Sequence, residues 1–297
     1  MEIILIGLII IFIISYRMKN GESVYKFISQ EAVNTYKKLE PYSYSIMRDK
    51  VKALGLEYTK KQYIFQVVIF AAISGGISYL YFYNIFITVF YIIIAISFIP
   101  YVTYLRCKRQ YSEYIFEQVQ IYCTNTIMEF ATTQAFIKSL EGVVESGVLE
   151  EPILSDVKTM IALSYEKGDV YDSIKYMDTK YPYYMVKNMH QLFLQVTKEG
   201  AKDTAETFDN MLTDIDALVE GVYRDRINRA NFHRQFITFG VALYGMIAII
   251  QLLIGQETYV AMVDSILIRI FIHLIVIVNS WFLLAGEKYY NENVGAE

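Results

Sequence analysis

Charged residues are scarce in this sequence: they make up 20% of the 297 residues, whereas hydrophobic residues make up 55%. A soluble globular domain has about 25% charged residues and at most about half apolar ones. The apolar residues here are concentrated in a few long blocks, which argues against a soluble globule and indicates a membrane protein. The net charge of −4 also lacks the basic excess typical of nucleic-acid binding, so we expect no nucleic acid as a partner.

Cysteine and proline are rare as well. The two cysteines, Cys107 and Cys123, have no metal-binding or redox spacing, so we expect free thiols. The sequence has four prolines, and none follows Pro182. The C-terminal part is therefore a stretch in which helices can run unbroken.

Motifs that carry chemistry are missing. The sequence has no G-x-x-x-x-G-K-S/T loop for nucleotide phosphates, no H-E-x-x-H pair and no nucleophile elbow. The three histidines lie far apart along the chain. We therefore expect a protein that is not an enzyme and that has no catalytic residues, no cofactor and no metal site.

Four apolar blocks have the length of about 20 residues that a membrane span requires. Residues 63–83 and 85–104 are separated only by Asn84 and predict one transmembrane hairpin. Residues 235–255 and 265–285, joined by a short loop, predict a second hairpin.

The first apolar block, residues 3–16, is the weak case. It reaches only about 21 Å as a helix, short of a core of about 30 Å. A cleaved signal peptide is one interpretation. We favour an uncleaved membrane anchor, because Glu2 stands where a basic region belongs and no A-x-A-like cleavage site follows.

The distribution of lysine and arginine predicts the orientation. All of them except Arg269 fall in residues 17–62, in residues 106–234 or after residue 285. Such residues are enriched in cytoplasmic segments, so we expect these three segments to face the cytoplasm across the plasma (inner) membrane.

Residues 106–234 predict six consecutive helices, because apolar positions recur at helical spacing between breakers. A predicted first helix at about 111–131 has Ile115, Val119, Tyr122 and Thr126 on one face. The next four are predicted at about 134–146, from Glu151-Pro152 to Gly168, from an N-cap at Asp169 to before Pro182, and from Pro182 to Gly200. The sixth carries an apolar stripe of Phe208, Met211, Leu212, Ile215, Leu218, Val219 and Val222.

The sixth helix has few breakers before the span at 235. One hypothesis is a continuous helix from about 203 to 254, which would couple the domain mechanically to the membrane. The alternative is a kink at Gly221 or in the basic stretch 224–234.

The predicted fold class is all-α: a polytopic membrane protein with an antiparallel helical-bundle cytoplasmic domain between two transmembrane hairpins. The predicted organisation is an N-terminal anchor (1–16), a cytoplasmic amphipathic helical segment (17–62), a first hairpin (63–104), the cytoplasmic domain (105–234), a second hairpin (235–285) and a cytoplasmic tail (286–297).

Polar residues inside predicted spans are candidates for function. Arg269 and His273 lie four residues apart on one face of the last span. A transport or proton-relay role is possible in principle. We favour a structural role, because Arg269 lies close enough to the outer interface to snorkel and no acidic residue lies inside another span.

Small residues in the first hairpin predict close helix packing. Ala71, Ala72, Gly75 and Gly76 form two small-xxx-small pairs. Packing within the chain is favoured over a subunit interface. An acidic group at Glu145, Glu150, Glu151 and Asp156 is interpreted as a solvated helix connection rather than as a cation site.

The order of these features resembles the type II secretion F-domain family, in particular its TadB/TadC branch, which has one domain copy where GspF has two. The resemblance extends over residues 45–286. The sequence departs from the family pattern where Thr132 or Thr133 replaces the usual glycine after the first domain helix. The positions that match family motifs are Phe116, Glu117, Gln118, Gly168, Glu199, Gly200 and Leu212.

The resemblance implies an inner-membrane platform protein of a type IV-like (Tad) pilus or protein secretion machine. The implied partners are a secretion-type hexameric ATPase, pilin subunits, and a second F-domain platform protein or further copies of the same chain. The basic residues next to the membrane are expected to contact the headgroups of the lipid bilayer rather than the ATPase. They are Arg106, Lys108, Arg109, Arg224, Arg226 and Arg229.

Two other functions remain as alternatives. A small membrane transporter would need polar residues that face each other across several spans. A membrane-anchored signalling protein would need an extracytoplasmic ligand surface, for which residues 256–264 are few.

Overall fold

The computed structural model describes Lys52, residues 58–199 and residues 204–292. The predicted anchor at 1–16, most of the predicted amphipathic segment 17–62 and Gly200 lie outside the described residues. The described part is helical and contains no strand. Its helices are α1 (Lys60–Phe82), α2 (Ile85–Thr133), α3 (Phe136–Glu145), α4 (Ile153–Lys167), α5 (Tyr171–Lys180), α6 (Tyr184–Glu199), α7 (Thr204–Ile254), α8 (Gln256–Val263) and α9 (Ile266–Tyr290).

Four of these helices, α1, α2, α7 and α9, are long and apolar enough to cross a membrane. They contain the four predicted spans to within one residue at their ends. The chain is therefore an all-helical protein whose composition and helix lengths indicate several membrane crossings.

The first two membrane helices are joined by the turn predicted at Asn84. The Asn84 side chain caps α2, since its Oδ1 accepts hydrogen bonds from the backbone N–H groups of Phe86 (2.9 Å) and Ile87 (3.3 Å). Farther from the turn, Thr103 Oγ1 donates to Gln66 Oε1 at 3.1 Å. The two helices thus lie side by side along most of α1.

Helix α2 differs from the prediction, which placed a separate domain helix at 111–131. It runs without interruption for 49 residues, about 73 Å, from the membrane part into the domain. Pro100 lies within it. Membrane helices tolerate an internal proline because neighbouring groups satisfy the freed carbonyl. Residues 105–110 after it favour helix and contain no breaker.

Helix α7 is the continuous helix that was predicted as one of two alternatives. It is 51 residues long, about 76 Å, and neither Gly221 nor residues 224–234 interrupt it. Two long helices therefore run through both the membrane part and the domain.

The domain has one hydrophobic core, enclosed by α3 to α6 and the domain halves of α2 and α7. The predicted faces of α2 and α7 both line it: Val119 and Tyr122 are fully buried, and Phe208 and Ile215 are nearly so. Gly168 ends α4 with φ +66°, as a left-handed cap requires. The N-cap predicted at Asp169 is wrong by one residue, because Val170 occupies that position and Asp169 Oδ1 accepts from Tyr171 N at 3.1 Å.

The end of the membrane part that lies away from the domain, which we call the outer end, is more structured than predicted. The expected loop at 256–264 contains the short helix α8, which Gly255 (φ +82°) allows to start directly after α7. Its Tyr259 and Val263 lie one turn apart and are buried against α1 and α9. At the opposite end, α9 continues to Tyr290, so the first residues of the segment predicted as a tail are helical.

Helices α7 and α9 pack at two glycines. A Cβ atom at Gly240 would lie 2.4 Å from Leu283 Cδ2, and one at Gly286 would lie 2.7 Å from Phe236 Cδ1. Asn279 Nδ2 donates to the Gly240 carbonyl at 3.0 Å. This close approach brings the last turn of α9 against the boundary between the membrane part and the domain.

Candidate functional site at the domain–membrane boundary

Three long helices are joined at this boundary by one buried carboxylate. Glu287 of α9 accepts a hydrogen bond from Arg106 Nε of α2 at 2.5 Å, and its other oxygen lies 2.7 Å from His233 Nε2 of α7. Only 11% of the Glu287 side chain is exposed. A buried charge is tolerated only when it is paired, so Arg106 and His233 account for the position of Glu287.

A second layer of contacts surrounds this carboxylate. The Tyr290 ring stacks on His233 (4.3 Å between centroids), and the Arg109 guanidinium lies 4.3 Å from the centre of the same ring. Arg109 Nε also donates to Asn291 Oδ1 at 3.2 Å, and Asn291 Nδ2 donates to Glu287 Oε1 at 3.2 Å. We refer to these six residues, Arg106, Arg109, His233, Glu287, Tyr290 and Asn291, as the boundary cluster.

The boundary cluster fixes the relative position of α2, α7 and α9. Glu287 follows Gly286 directly, and the missing Cβ of that glycine lets α9 approach Phe236 closely enough for His233 to reach the carboxylate. A displacement of α2 or α7 within the domain would be passed to α9 through Glu287. The arrangement therefore links three helices mechanically.

The predicted lipid-contacting basic residues are mostly engaged within the chain. Arg106 and Arg109 belong to the boundary cluster, and Arg229 Nε donates to Asp225 Oδ2 at 2.8 Å. Arg226 lies between Glu113 and Glu117, 4.0 and 3.9 Å away.

Lys108 and Arg224 differ from these residues in exposure. Lys108 is exposed. Arg224 is also exposed, at 73%, and pairs with Glu220 one turn away. Together with Arg106, whose side chain is half-exposed, these two side chains present the accessible charge of the predicted set.

The family-motif positions whose side chains are described lie in or beside the domain core. Phe116 is buried against Tyr183, and Gln118 is buried with its Oε1 accepting from Glu150 N at 3.0 Å. Glu117 is exposed beside Arg226. Leu212 packs against the core, Gly168 caps α4 and Glu199 ends α6.

The two predicted intramembrane polar residues have partners. Arg269 Nε donates to the Val263 carbonyl at 3.1 Å, and its Nη2 lies 3.3 Å from Asp264 Oδ1, at the outer end as snorkelling predicts. His273 Nδ1 lies 2.8 Å from the Tyr91 hydroxyl of α2. Both residues are therefore bound within the chain, and their role stays a prediction.

Sequence reasoning missed other polar residues between the spans. Gln251 Nε2 donates to the Leu80 carbonyl at 2.8 Å, and the Tyr244 hydroxyl lies 2.6 Å from Ser280 Oγ. Asn279 is buried against Gly240. An amide inside an apolar block was the available signal, because it must find a partner there.

The small residues of α1 fall on two faces. Gly75 faces α2, where a Cβ would lie 3.1 Å from Ile92 Cδ1, in agreement with packing inside the chain. Gly76 has nothing within 4 Å of its Cβ position. Ala71 is partly buried and Ala72 is exposed, so only the Ala71–Gly75 pair lies on the packed side.

The acidic group in the domain is not a solvated connection throughout. Asp156 is buried and accepts hydrogen bonds from Tyr176 Oη (2.7 Å), Lys180 Nζ (2.5 Å) and Tyr181 Oη (2.5 Å). Burial alone would raise the pKa of Asp156, but the three donors outweigh it and hold that pKa below its usual value. No group of three metal-ligating side chains occurs in the part of the chain that is described.

Comparisons with protein-family models, with curated proteins and with solved structures give no match for this chain.

Proposed function

We propose that this protein is an inner-membrane platform of a type IV-like pilus or type II-like secretion machine. In this proposal its helical domain lies in the cytoplasm, contacts a hexameric ATPase, and passes the conformational work of that ATPase to the membrane helices. Pilin subunits are then lifted into a filament beside them. A second F-domain protein or further copies of the chain complete the platform.

The observation that carries the proposal is the continuity of α2 and α7. Each helix has one end in the domain core and the other in the membrane part, and both are bound to Glu287 where they leave the domain. Force applied to the domain therefore has two stiff paths into the membrane. The sequence has no nucleotide-binding loop, which is consistent with energy supplied by a partner.

Site-specific crosslinking tests the proposed partner. A photo-crosslinking amino acid at Tyr165 or Tyr171, both exposed on the domain, is expected to capture the ATPase in intact cells. The same group at Leu252, 85% exposed at the far end of α7, is the matched control and is expected to capture none. Domain positions that capture no ATPase, in cells where the protein is well expressed, would contradict the proposal.

Cysteine labelling tests the proposed orientation. In a Cys107→Ser background, Tyr165→Cys marks the domain and Glu257→Cys marks the exposed side of α8. A membrane-impermeant maleimide added to spheroplasts is expected to label position 257 and to reach position 165 only after lysis. The reverse pattern would place the domain outside the cell and rule out contact with a cytoplasmic ATPase.

A further inference from the structure

An apolar cavity of about 340 Å³ lies inside the membrane part, between the α1–α2 pair and α9. The two sides meet at the outer end, where Phe82 and Ile272 are buried in one cluster, and at the domain end through Arg106 and Glu287. Between these contacts they are separated. We call this space the intramembrane groove; on α2 it is lined by Tyr91, Ala95, Phe98, Val102 and Arg106.

The length of the intramembrane groove matches one lipid leaflet. From Tyr91 to Arg106 the groove follows one face of α2 for about 22 Å at 1.5 Å per residue. Half of a bilayer, with its headgroup layer, is about 20–22 Å thick. With the span at residues 85–104, the groove extends from the domain-side headgroup level to slightly beyond the middle of the membrane.

The intramembrane groove is open to lipid at its side. Ile73 and Phe98 both line it, and they are 58% and 39% exposed. A chain lying in the bilayer could enter between them without passing through water. An empty apolar space of this length beside lipid would be filled by acyl chains.

The domain-side end of the groove is lined by Arg106 and by its partner Glu287, and the cation is much the more exposed of the two. Arg106 lies there with half of its side chain exposed (51%), and among the described residues its hydrogen bond to Glu287 uses Nε. A guanidinium has five N–H donors, so its terminal nitrogens retain capacity for a phosphate. The exposed Lys108 follows two residues later.

We propose that the intramembrane groove binds one anionic phospholipid of the domain-side leaflet. One acyl chain lies along α2 from Val102 to Tyr91, and the phosphate lies at Arg106. The bound lipid fills the separation between the two helix pairs and links the boundary cluster to the membrane surface. This proposal does not depend on the platform function.

The size of the groove decides against a peptide helix as its occupant. A helix about 10 Å across and 22 Å long occupies about 1,700 Å³, more than the roughly 1,110 Å³ of empty space in the groove and its mouth. A single hydrocarbon chain is the narrower occupant, and an anionic headgroup is complementary to Arg106.

Native mass spectrometry of the full-length protein tests the proposal. After mild delipidation and addition of phosphatidylglycerol, one lipid per chain is expected to remain bound. Ala95→Trp fills the groove and is expected to lose that lipid, while Ala72→Trp, on the exposed face of α1, is expected to retain it. Retention by Ala95→Trp, equal loss from both variants, or a peptide in place of the lipid would overturn the proposal.

The proposed contact between the phosphate and Arg106 is tested by the preference of the protein for anionic over zwitterionic lipid. The wild type is expected to prefer phosphatidylglycerol over phosphatidylcholine about fivefold, the effect of one cation near a lipid surface. Arg106→Gln should abolish the preference, Arg106→Lys should keep it, and Lys108→Gln should change it less than Arg106→Gln. Equal preference in the wild type and Arg106→Gln would show that Arg106 does not hold the phosphate.

Discussion

Asp156 is a carboxylate buried in the domain, and its charge depends on hydrogen-bond donors around it. Its side chain is only 6% exposed, and two tyrosines and a lysine donate to it. Asp156→Asn removes the charge at nearly constant volume, so we expect the domain to lose about 2 kcal/mol of unfolding free energy. Thermal or urea unfolding in detergent measures this loss. Asp172→Asn removes an exposed partner of Lys167 and should have little effect; equal losses would contradict the assignment.

The same carboxylate predicts a pH dependence. Because the pKa of Asp156 is lower in the folded protein than in the unfolded chain, its stabilisation is complete above about pH 4 and is lost as the pH falls through the folded value. The difference in unfolding temperature between the wild type and Asp156→Asn should therefore shrink below pH 4. A difference that stays constant down to pH 3 would show that charge is not its cause.

Sequence reasoning could find individual buried residues but not their partners. The 3-4 spacing in α7 correctly predicted that Phe208 and Ile215 face the core, because helical period alone determines the face. The pairing of Arg106 with Glu287 could not be predicted, since 181 residues separate them and no spacing rule connects them. Glu287 fell in the predicted tail because the last apolar block ends at residue 285.

At the scale of elements, the contact between α7 and α9 depends on two glycines. Gly286→Ala would place a methyl group 2.7 Å from the Phe236 ring, so the helices must separate or the ring must move. We expect a loss of about 1–3 kcal/mol, as in overpacked cores. Gly245→Ala, in the partner helix α7 with open space at its Cβ, should be neutral or slightly stabilising. Comparable losses in the two variants would exclude close packing as the reason.

A separate prediction concerns the boundary cluster, which joins α2, α7 and α9. Glu287→Gln leaves Arg106 and His233 without their shared charge, and we expect a loss of about 2 kcal/mol, below the range for fully buried pairs because Arg106 is half-exposed. Glu220→Gln breaks the exposed pair with Arg224 and is the matched control. Unfolding free energies in detergent distinguish them, and an unchanged Glu287→Gln would remove the boundary cluster as a link.

The elements also show where sequence patterns fall short. The four spans were predictable because about 20 apolar residues in a row have few alternative structures. The continuity of α2 was not, since the six residues between the predicted span 85–104 and the predicted domain helix at 111–131 are too few to show a helical period. The short helix α8 was missed because eight residues give little periodicity.

At the scale of the whole molecule, the two long helices should hold the domain at a fixed position relative to the membrane part. Spin labels at Tyr165 in the domain and Trp281 in α9, both exposed, report that position in a Cys107→Ser background. Because α2 and α7 both cross the boundary, we expect a single narrow distance distribution for the wild type.

Breaking one of the two helices should loosen this arrangement. Asn228 is exposed in α7 between the span and the domain core, and proline there removes a backbone hydrogen bond and clashes with the carbonyl of Arg224, at a cost of about 3 kcal/mol. Asn228→Pro is expected to broaden the distance distribution between the labels, while Asn228→Ala, which keeps the helix, should leave it narrow. If Asn228→Pro gave the wild-type distribution, α2 alone would position the domain and α7 would not transmit force across the boundary.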